Sequence, residues 1–295
     1  MEPRLLFLIL VGIAIGLSCL AGYWRKKAGE AAFAAALLAD KADDRDRHCR
    51  LAVMAGHRDA CRMFCFAHPD FYEDRHPLKP FRFRGISVTF YGHYYPSRYK
   101  RLLDEEQRGF CRTLYAFKEG ENHGIDFFKA CMAALPVDTA SCHVMFMPCS
   151  NWIKYGQRFK RLDWYITTHR NELTSGLYDV DVHSERESLH ECKGSERILE
   201  RNYNITGDIK GKRIIIVDDV FTSGQSLTDY KEEIERCGGE VVAAIFYGKT
   251  VTVPPLFLIK PMYGADISSA PSRTSHRSYD ISANAARHFS RVVLM

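Results

Sequence analysis

The hydrophobic positions divide the chain into a long apolar start and a region in which short apolar runs alternate with helical patterns. Strand-like runs lie at residues 86–91, 143–148, 213–217 and 241–247. Helical spacing of apolar residues lies between them, at 97–117, 127–135 and from residue 227 onward. Repeated strand–helix alternation predicts an α/β fold, with a parallel sheet that is flanked by helices and joined by right-handed crossovers.

The pattern also predicts how the chain is organised. Residues 1–27 form a membrane anchor, 28–84 a helical and linker region, 85–252 the α/β domain, and 253–295 an extension with weak patterning. Within the second region, 28–67 favours a helix or helical pair, and the Pro-, Arg- and aromatic-rich residues 69–85 favour a linker. The polar residues 173–194 lack apolar periodicity and predict a mobile excursion.

The apolar run at residues 5–24 is uncharged and twenty residues long, enough to cross a bilayer core of ~30 Å as one helix. Arg25, Lys26 and Lys27 follow it, whereas only Arg4 precedes it. The positive-inside rule therefore predicts a single-pass protein of the inner or plasma membrane with its domain in the cytoplasm. A cleaved signal peptide is the competing interpretation, because residues 17–21 resemble a cleavage site. The ten cysteines show no short-domain disulfide spacing, which favours the anchor.

Composition narrows the function only slightly. The chain is 46% hydrophobic and 26% charged, as expected of a globular protein. Its formal net charge of +5 is spread along the sequence, so it gives little support for a dedicated nucleic-acid surface. Small ligands that carry phosphate remain compatible with this charge.

Residues 211–230, GKRIIIVDDVFTSGQSLTDY, concentrate the candidate chemistry. A buried parallel strand delivers Asp218 and Asp219 to its carboxyl end, where open α/β sheets bind ligands. The turn that follows leads into a helix, whose free amides and dipole suit a phosphate; it consists of Thr222, Ser223, Gly224, Gln225 and Ser226. Carboxylates can accept hydrogen bonds from a vicinal diol, so the stretch predicts a site for ribose 5-phosphate. We expect Gly224 to wrap the phosphate on a surface turn, away from the core.

The segment VDDVFTSGQS resembles the signature of type I phosphoribosyltransferases. The flanks look most like the ComF-like branch, named for a competence protein: a Tyr-rich segment at 91–95, a Pro-containing strand at 144–148, and a Lys-Thr end at 247–250. The resemblance implies the type I phosphoribosyltransferase fold, the substrate 5-phosphoribosyl 1-diphosphate, and Mg²⁺. Asp218 and Asp219 would then be the catalytic residues and would hold the metal directly or indirectly.

The resemblance also implies roles outside this stretch. In such enzymes, the loop after the first core strand grips the diphosphate, and here it leads to Lys154 and Arg158. Arg201 and Asn202 resemble a passage of ComF-like sequences, with Arg201 as a further substrate-binding residue. Residues 173–194 would be the loop that closes over the site. The acceptor is an unidentified nitrogen nucleophile, and an oligomer is possible. The alternative function is a non-catalytic phosphoribosyl or nucleotide sensor, or a membrane accessory of DNA uptake.

The cysteines raise two other possibilities, a zinc site and a nucleophilic thiol. His57, Cys61, Cys65 and His68 are spaced along one helical face, and ComF-like proteins often carry a zinc module. Paired C-x-x-C knuckles are absent from the sequence, however, and ligands along one straight helix span too far for one ion, so buried thiols are favoured. Cys149 lacks an activating pattern and is predicted to be structural.

Overall fold

The computed structural model describes residues 3–67, 69, 73–183 and 202–253. The chain divides into two compact units. One comprises residues 1–72, 101–103 and 252–295, and the other comprises residues 73–100 and 104–251.

The first unit is helical in its described part. Its helices are α1 (Pro3–Leu38), α2 (Ala42–Ala55) and α3 (Arg58–Ala67). Residues 6–38 of α1 include a window of mean hydropathy 2.3, none of which is buried. By length and composition this helix can cross a membrane, although a signal sequence would have the same features. The helix continues past the Arg-Lys-Lys flank, and its later residues Phe33 and Ala36 are buried.

In residues 28–67, for which a helix or helical pair was predicted, the end of α1 is followed by α2 and α3. Gly56 ends α2 in the left-handed conformation, with φ 84°, a conformation that glycine adopts without steric cost. His57 therefore lies in the turn between the helices, where its ring stacks on Phe33 at 4.3 Å and its Nδ1 accepts the amide of Ala60. His57 directly precedes α3, and its carbonyl accepts the amide of Cys61 at 3.1 Å, so the histidine lies at the start of that helix, whereas Cys61 and Cys65 are buried within it. His68 lies outside the described residues.

The second unit is built on a six-stranded sheet. Its strands are β1 (Phe81–Phe83), β2 (Ile86–Tyr94), β3 (His143–Phe146), β4 (Thr174–Ser175), β7 (Arg213–Phe221) and β8 (Glu240–Thr250). Their order across the sheet is β1-β2-β8-β7-β3-β4. All neighbours are parallel except β1 and β2, which form a hairpin. A separate antiparallel pair consists of β5 (Val180–Val182) and β6 (Tyr203–Ile205). The predicted α/β architecture with a mainly parallel sheet is confirmed.

Strand β7 lies in the middle of the core because both of its edges are paired. Val217 is opposite Phe146 of β3 on one side and Ile245 of β8 on the other. Its apolar run from Ile214 to Val217 is fully buried, as expected for a β-branched run in a parallel sheet. The parallel register brings the carboxyl ends of β2, β8, β7 and β3 to one edge of the sheet.

Four helices of this unit are α4 (Glu105–Lys118), α5 (Ile125–Ala134), α6 (Trp152–His169) and α7 (Gln225–Arg236). Asp104 and Gln107 form a reciprocal capping box at the start of α4. This cap explains why the helix expected at 97–117 is divided into a 3₁₀ turn at Ser97–Leu102 and α4. Asn151 caps α6 by accepting the amide of Lys154 at 2.9 Å.

The predicted mobile excursion is wrong for residues 173–183. This segment contains β4, a 3₁₀ turn at Leu177–Asp179 and β5, and it buries Leu177, Val180 and Val182. His143 fastens it to β3, since its Nδ1 lies 2.7 Å from the Thr174 hydroxyl and its Nε2 lies 2.6 Å from Asp179 Oδ2. The remainder of the excursion, residues 184–194, lies outside the described residues. Strand β1 similarly lies within the segment expected to be a linker.

Candidate functional site

The carboxyl end of β7 places Asp218 and Asp219 at the sheet edge, as the sequence pattern predicts. Each residue is 9% exposed. Adjacent residues of a strand point to opposite faces, so the two carboxyl groups meet different surroundings. Their environments differ in charge.

Asp219 faces two cations. Arg158 Nη1 of α6 lies 2.5 Å from Asp219 Oδ2, and Lys118 Nζ of α4 lies 3.6 Å from the same oxygen. Arg158 also donates from Nε to the backbone carbonyl of Lys118 at 3.3 Å. Two helices distant in sequence therefore neutralise this carboxylate. Arg158 is a predicted site residue, whereas nothing in the sequence indicates Lys118, because the helical pattern of α4 does not show which strand end its last turn reaches.

Asp218 has no comparable cation at hydrogen-bonding distance within the described residues. Its Oδ1 accepts the amide of Asp219 at 2.7 Å. Burial, and secondarily the charge of Asp219, raise the pKa of the Asp218 carboxyl to about 8. A protonated carboxyl can donate one hydrogen bond as well as accept others, which suits a sugar hydroxyl.

The turn after β7 exposes the groups expected to meet a phosphate. The side chains of Thr222, Ser223, Gln225 and Ser226 are exposed, and α7 begins directly after Gly224. The first amides of a helix have no intrahelical acceptor and lie at its positive end, so they can bind an anion. The side-chain amide of Gln225 instead donates to Asp229, one helical turn further along α7, at 2.6 Å.

Gly224 corrects the expectation of a turn that is independent of the core. The residue is buried and has φ +81°, a conformation that disfavours other residues. A Cβ atom built on it would overlap the ring of Phe83 on β1. That ring packs edge-on against Phe221, with centroids 5.2 Å apart. The substitution Gly224→Val would therefore disturb folding as well as binding, and it cannot separate the two.

The loop between β3 and α6 is held by a residue from another part of the chain. Asn202 is 3% exposed, and its Nδ2 donates to the carbonyls of Cys149 at 3.0 Å and Ser150 at 3.2 Å. Burial raises the pKa of the Cys149 thiol to about 12, which keeps it protonated and unreactive. His143 begins β3 whereas Cys149 follows its carboxyl end, so the strand separates the two residues.

Lys154 and Arg201 are the remaining cations predicted to bind substrate. Lys154 is exposed on the first turn of α6, and it forms no ion pair with Asp218 or Asp219 in the part of the chain that the structure describes. Arg201 lies outside the described residues. Of the predicted cations, Arg158 alone is positioned against the carboxylates within those residues.

The acidic pair supplies part of the oxygen shell that Mg²⁺ requires. Among residues 3–67, 69, 73–183 and 202–253, no group of three or more His, Cys, Asp and Glu side chains could hold a metal ion. Mg²⁺ commonly takes only one or two carboxylates and completes its shell with water and substrate phosphate oxygens. Asp218 and Asp219 fit that partial role, although they do not form a cage of their own.

Comparisons with known proteins match a segment of the chain that includes β7. Residues 170–256 match the family model for the phosphoribosyl transferase domain. An orotate phosphoribosyltransferase of Sulfolobus acidocaldarius is 42% identical over 52 residues, which is 18% of this chain and 23% of that protein. One from Methanopyrus kandleri is 49% identical over 41 residues, 14% of this chain and 22% of that protein. The aligned part is thus less than a quarter of each relative's length. These matches support a type I phosphoribosyltransferase domain around the β7 site, whereas the ComF-like branch stays a prediction.

Proposed function

We propose that this chain is a phosphoribosyltransferase that uses 5-phosphoribosyl 1-diphosphate and Mg²⁺ and transfers ribose 5-phosphate to a nitrogen acceptor. The observation that carries the proposal is one strand–turn–helix unit in which a buried acidic pair precedes an exposed, hydroxyl-rich helix start. The unit lies within the region that matches the phosphoribosyl transferase domain.

In the proposed reaction, the acceptor nitrogen forms a bond to the anomeric carbon while the bond from that carbon to the diphosphate oxygen breaks. The electron pair of the broken bond leaves with the diphosphate. The acidic pair holds the ribose hydroxyls, and the turn at 222–226 holds the 5-phosphate through amides and hydroxyls. Most of the rate enhancement in such a reaction would come from positioning and from charge stabilisation.

Arg158 and Lys118 are the cations beside the acidic pair that suit a role near the diphosphate. Both already contact Asp219, so their positive charge is held at the site before any ligand arrives. Mg²⁺, when bound by Asp218 or Asp219 together with substrate oxygens, would supply further neutralisation of the leaving group. Lys154 and Arg201 remain candidates for the same ligand.

We further propose that α1 anchors the protein in the inner or plasma membrane as a single span with the domain in the cytoplasm. The supporting features are the apolar window of α1 and the Arg-Lys-Lys sequence after it. A reporter fused to the carboxyl terminus tests this topology. Reporter activity on the outer side, or a mature amino terminus beyond Ala21, would contradict it.

Calorimetry with 5-phosphoribosyl 1-diphosphate, with and without Mg²⁺, tests the transferase proposal. We expect Mg²⁺-dependent binding that the Asp218→Asn, Asp219→Asn double variant loses. Glu232→Gln is the matched control, since this acidic residue is exposed on α7. Equal affinity in the double variant and the wild type would show that the acidic pair does not bind the donor.

A second measurement distinguishes an enzyme from a sensor. The purified protein is incubated with the donor and a panel of nitrogenous bases and amines, and released diphosphate is assayed. Acceptor-dependent release supports the transferase. Mg²⁺-dependent binding without release for any acceptor would favour the sensor function.

A further inference from the structure

Helix α6 exposes large apolar side chains that do not belong to the candidate site. Trp152 is 43% exposed, Ile153 68% and Trp164 52%. These include two of the three tryptophans in the chain. Single exposed apolar residues are ordinary on a protein surface, whereas several on one helix indicate a contact surface.

The spacing along α6 places two of these apolar side chains, Ile153 and Trp164, in one stripe on the helix surface. Ile153, Lys160 and Trp164 are at positions i, i+7 and i+11, which share a helical face. The opposite face is buried in the core through Tyr155, Phe159, Leu162 and Ile166. The exposed stripe is therefore not needed for the packing of α6 on the sheet. We call Ile153, Lys154, Lys160, Arg161 and Trp164 the outer face of α6.

The charges of the outer face are positive. Lys154, Lys160 and Arg161 are exposed, and none of them forms an ion pair with another residue of the described chain. Nearby acidic groups are few. Asp163 is half-buried, and its carboxylate accepts the hydroxyl of Ser175 at 2.5 Å.

One further acidic feature borders this face. Glu119 and Glu121 are exposed on the turn after α4, where Gly120 packs closely against the backbone of Gln157. Both residues flank Gly120, so the turn that carries them borders α6 at Gln157. The outer face thus combines three cations with two exposed apolar side chains, Ile153 and Trp164.

We infer that the outer face of α6 binds the surface of a bilayer that contains anionic phospholipid. Tryptophan favours the membrane–water interface, and exposed lysine and arginine are attracted to anionic headgroups. A second copy of this chain fits less well, because a two-fold contact through the stripe would bring Lys160 and Arg161 toward their own copies. The inference does not depend on the transferase chemistry.

The experiment uses the full chain with Trp24→Phe and Trp152→Phe, which leaves Trp164 as its one tryptophan. The protein is reconstituted into vesicles of phosphatidylcholine, or of equal parts phosphatidylcholine and phosphatidylglycerol, with a fraction of either lipid brominated. We expect brominated lipid to quench Trp164 in the anionic vesicles at low salt. Quenching should fall in neutral vesicles and at high salt, where charges are screened.

Reversing the charge of Lys160 and Arg161 tests whether the outer face of α6 is the surface that binds the bilayer. Lys160→Glu with Arg161→Glu should reduce the quenching to the level of neutral vesicles. Lys210→Glu, an exposed residue before β7, should leave it unchanged. Circular dichroism and the thermal midpoint verify that each variant is folded.

Two results would overturn the inference. The first is Trp164 that remains equally accessible to aqueous acrylamide in neutral and anionic vesicles, with no quenching by brominated lipid. The second is protection of Trp164 that depends on the protein-to-lipid ratio but not on lipid charge, which would indicate contact between copies of the chain.

Discussion

The two parts of the candidate site, the acidic pair and the turn at 222–226, are stabilised by different kinds of interaction. At the end of β7, two carboxyl groups are buried, and one of them is balanced by cations from α4 and α6. At the following turn, the side chains are exposed except at Gly224, and the geometry is set by backbone conformation and by the ring of Phe83. The acidic pair is therefore sensitive to charge, whereas the turn is sensitive to shape.

Removal of the cation at the acidic pair should have the largest effect on stability. We expect Arg158→Ala to lower the free energy of unfolding by ~3 kcal/mol, because Asp219 would remain buried without its closest partner. Urea denaturation measures this. Lys154→Ala is the control on the same helix, and its exposed side chain should contribute little.

A second substitution tests whether charge causes this loss of stability. In the Asp219→Asn background, Arg158→Ala should lower the free energy of unfolding by clearly less, since no carboxylate is left without its cation. If the loss is the same in both backgrounds, the packing of Arg158 and not its charge stabilises the strand end.

The turn should respond to a single methyl group. We expect Gly224→Ala to lower the free energy of unfolding by ~2 kcal/mol through its positive φ and its overlap with Phe83. Gly211→Ala is a matched control, because Gly211 has φ +71° and no neighbouring atom within 4 Å of its added Cβ. The difference between the two losses isolates the contact with the ring.

Phe83→Ala provides the complementary measurement. In that background, Gly224→Ala and Gly211→Ala should lower the free energy of unfolding by similar amounts, because only the strain of the positive φ remains. A persistent excess at Gly224 would show that a different neighbour constrains the turn.

Asp218 should limit stability at alkaline pH. Its pKa is raised in the folded state, so its favourable contribution is present at acid pH and is lost as the pH rises through the folded value. We expect Asp218→Asn to stabilise the protein by ~1–2 kcal/mol under mildly alkaline conditions, and by less as the solution is acidified. Urea titrations across pH measure the difference, with Glu232→Gln as the control. A pH-independent difference would contradict a buried carboxyl that resists ionisation.

The smallest effect on stability is expected from the exposed hydroxyl of Ser226. Ser226→Ala should change the free energy of unfolding by less than ~0.5 kcal/mol. Its affinity for ribose 5-phosphate should fall roughly 3- to 10-fold, the value of one hydrogen bond. Calorimetry tests this, and unchanged affinity would show that the hydroxyl does not contact the phosphate.

The local parts of this protein are determined by the sequence itself. Strand β7, the turn with Gly224 and helix α7 are consecutive in the sequence, from residue 213 to residue 236, and each has a distinct pattern of apolar spacing or turn chemistry. The alternation of strands and helices likewise predicts the parallel sheet. Periodicity reports which face of an element is buried, so these features follow without knowledge of what covers that face.

The partners of the site were decided only by tertiary structure. Arg158 meets Asp219 across 61 residues, and Asn202 reaches Cys149 across 53. Phe83 covers Gly224 because β1 pairs with β2 and so joins the sheet, whereas the sequence of β1 suggested a linker. Such contacts depend on which helices and strands pack together, and local spacing contains no information about that packing. For the same reason the polar residues 173–183 were predicted to be mobile, although His143 fastens them to β3 through Thr174 and Asp179.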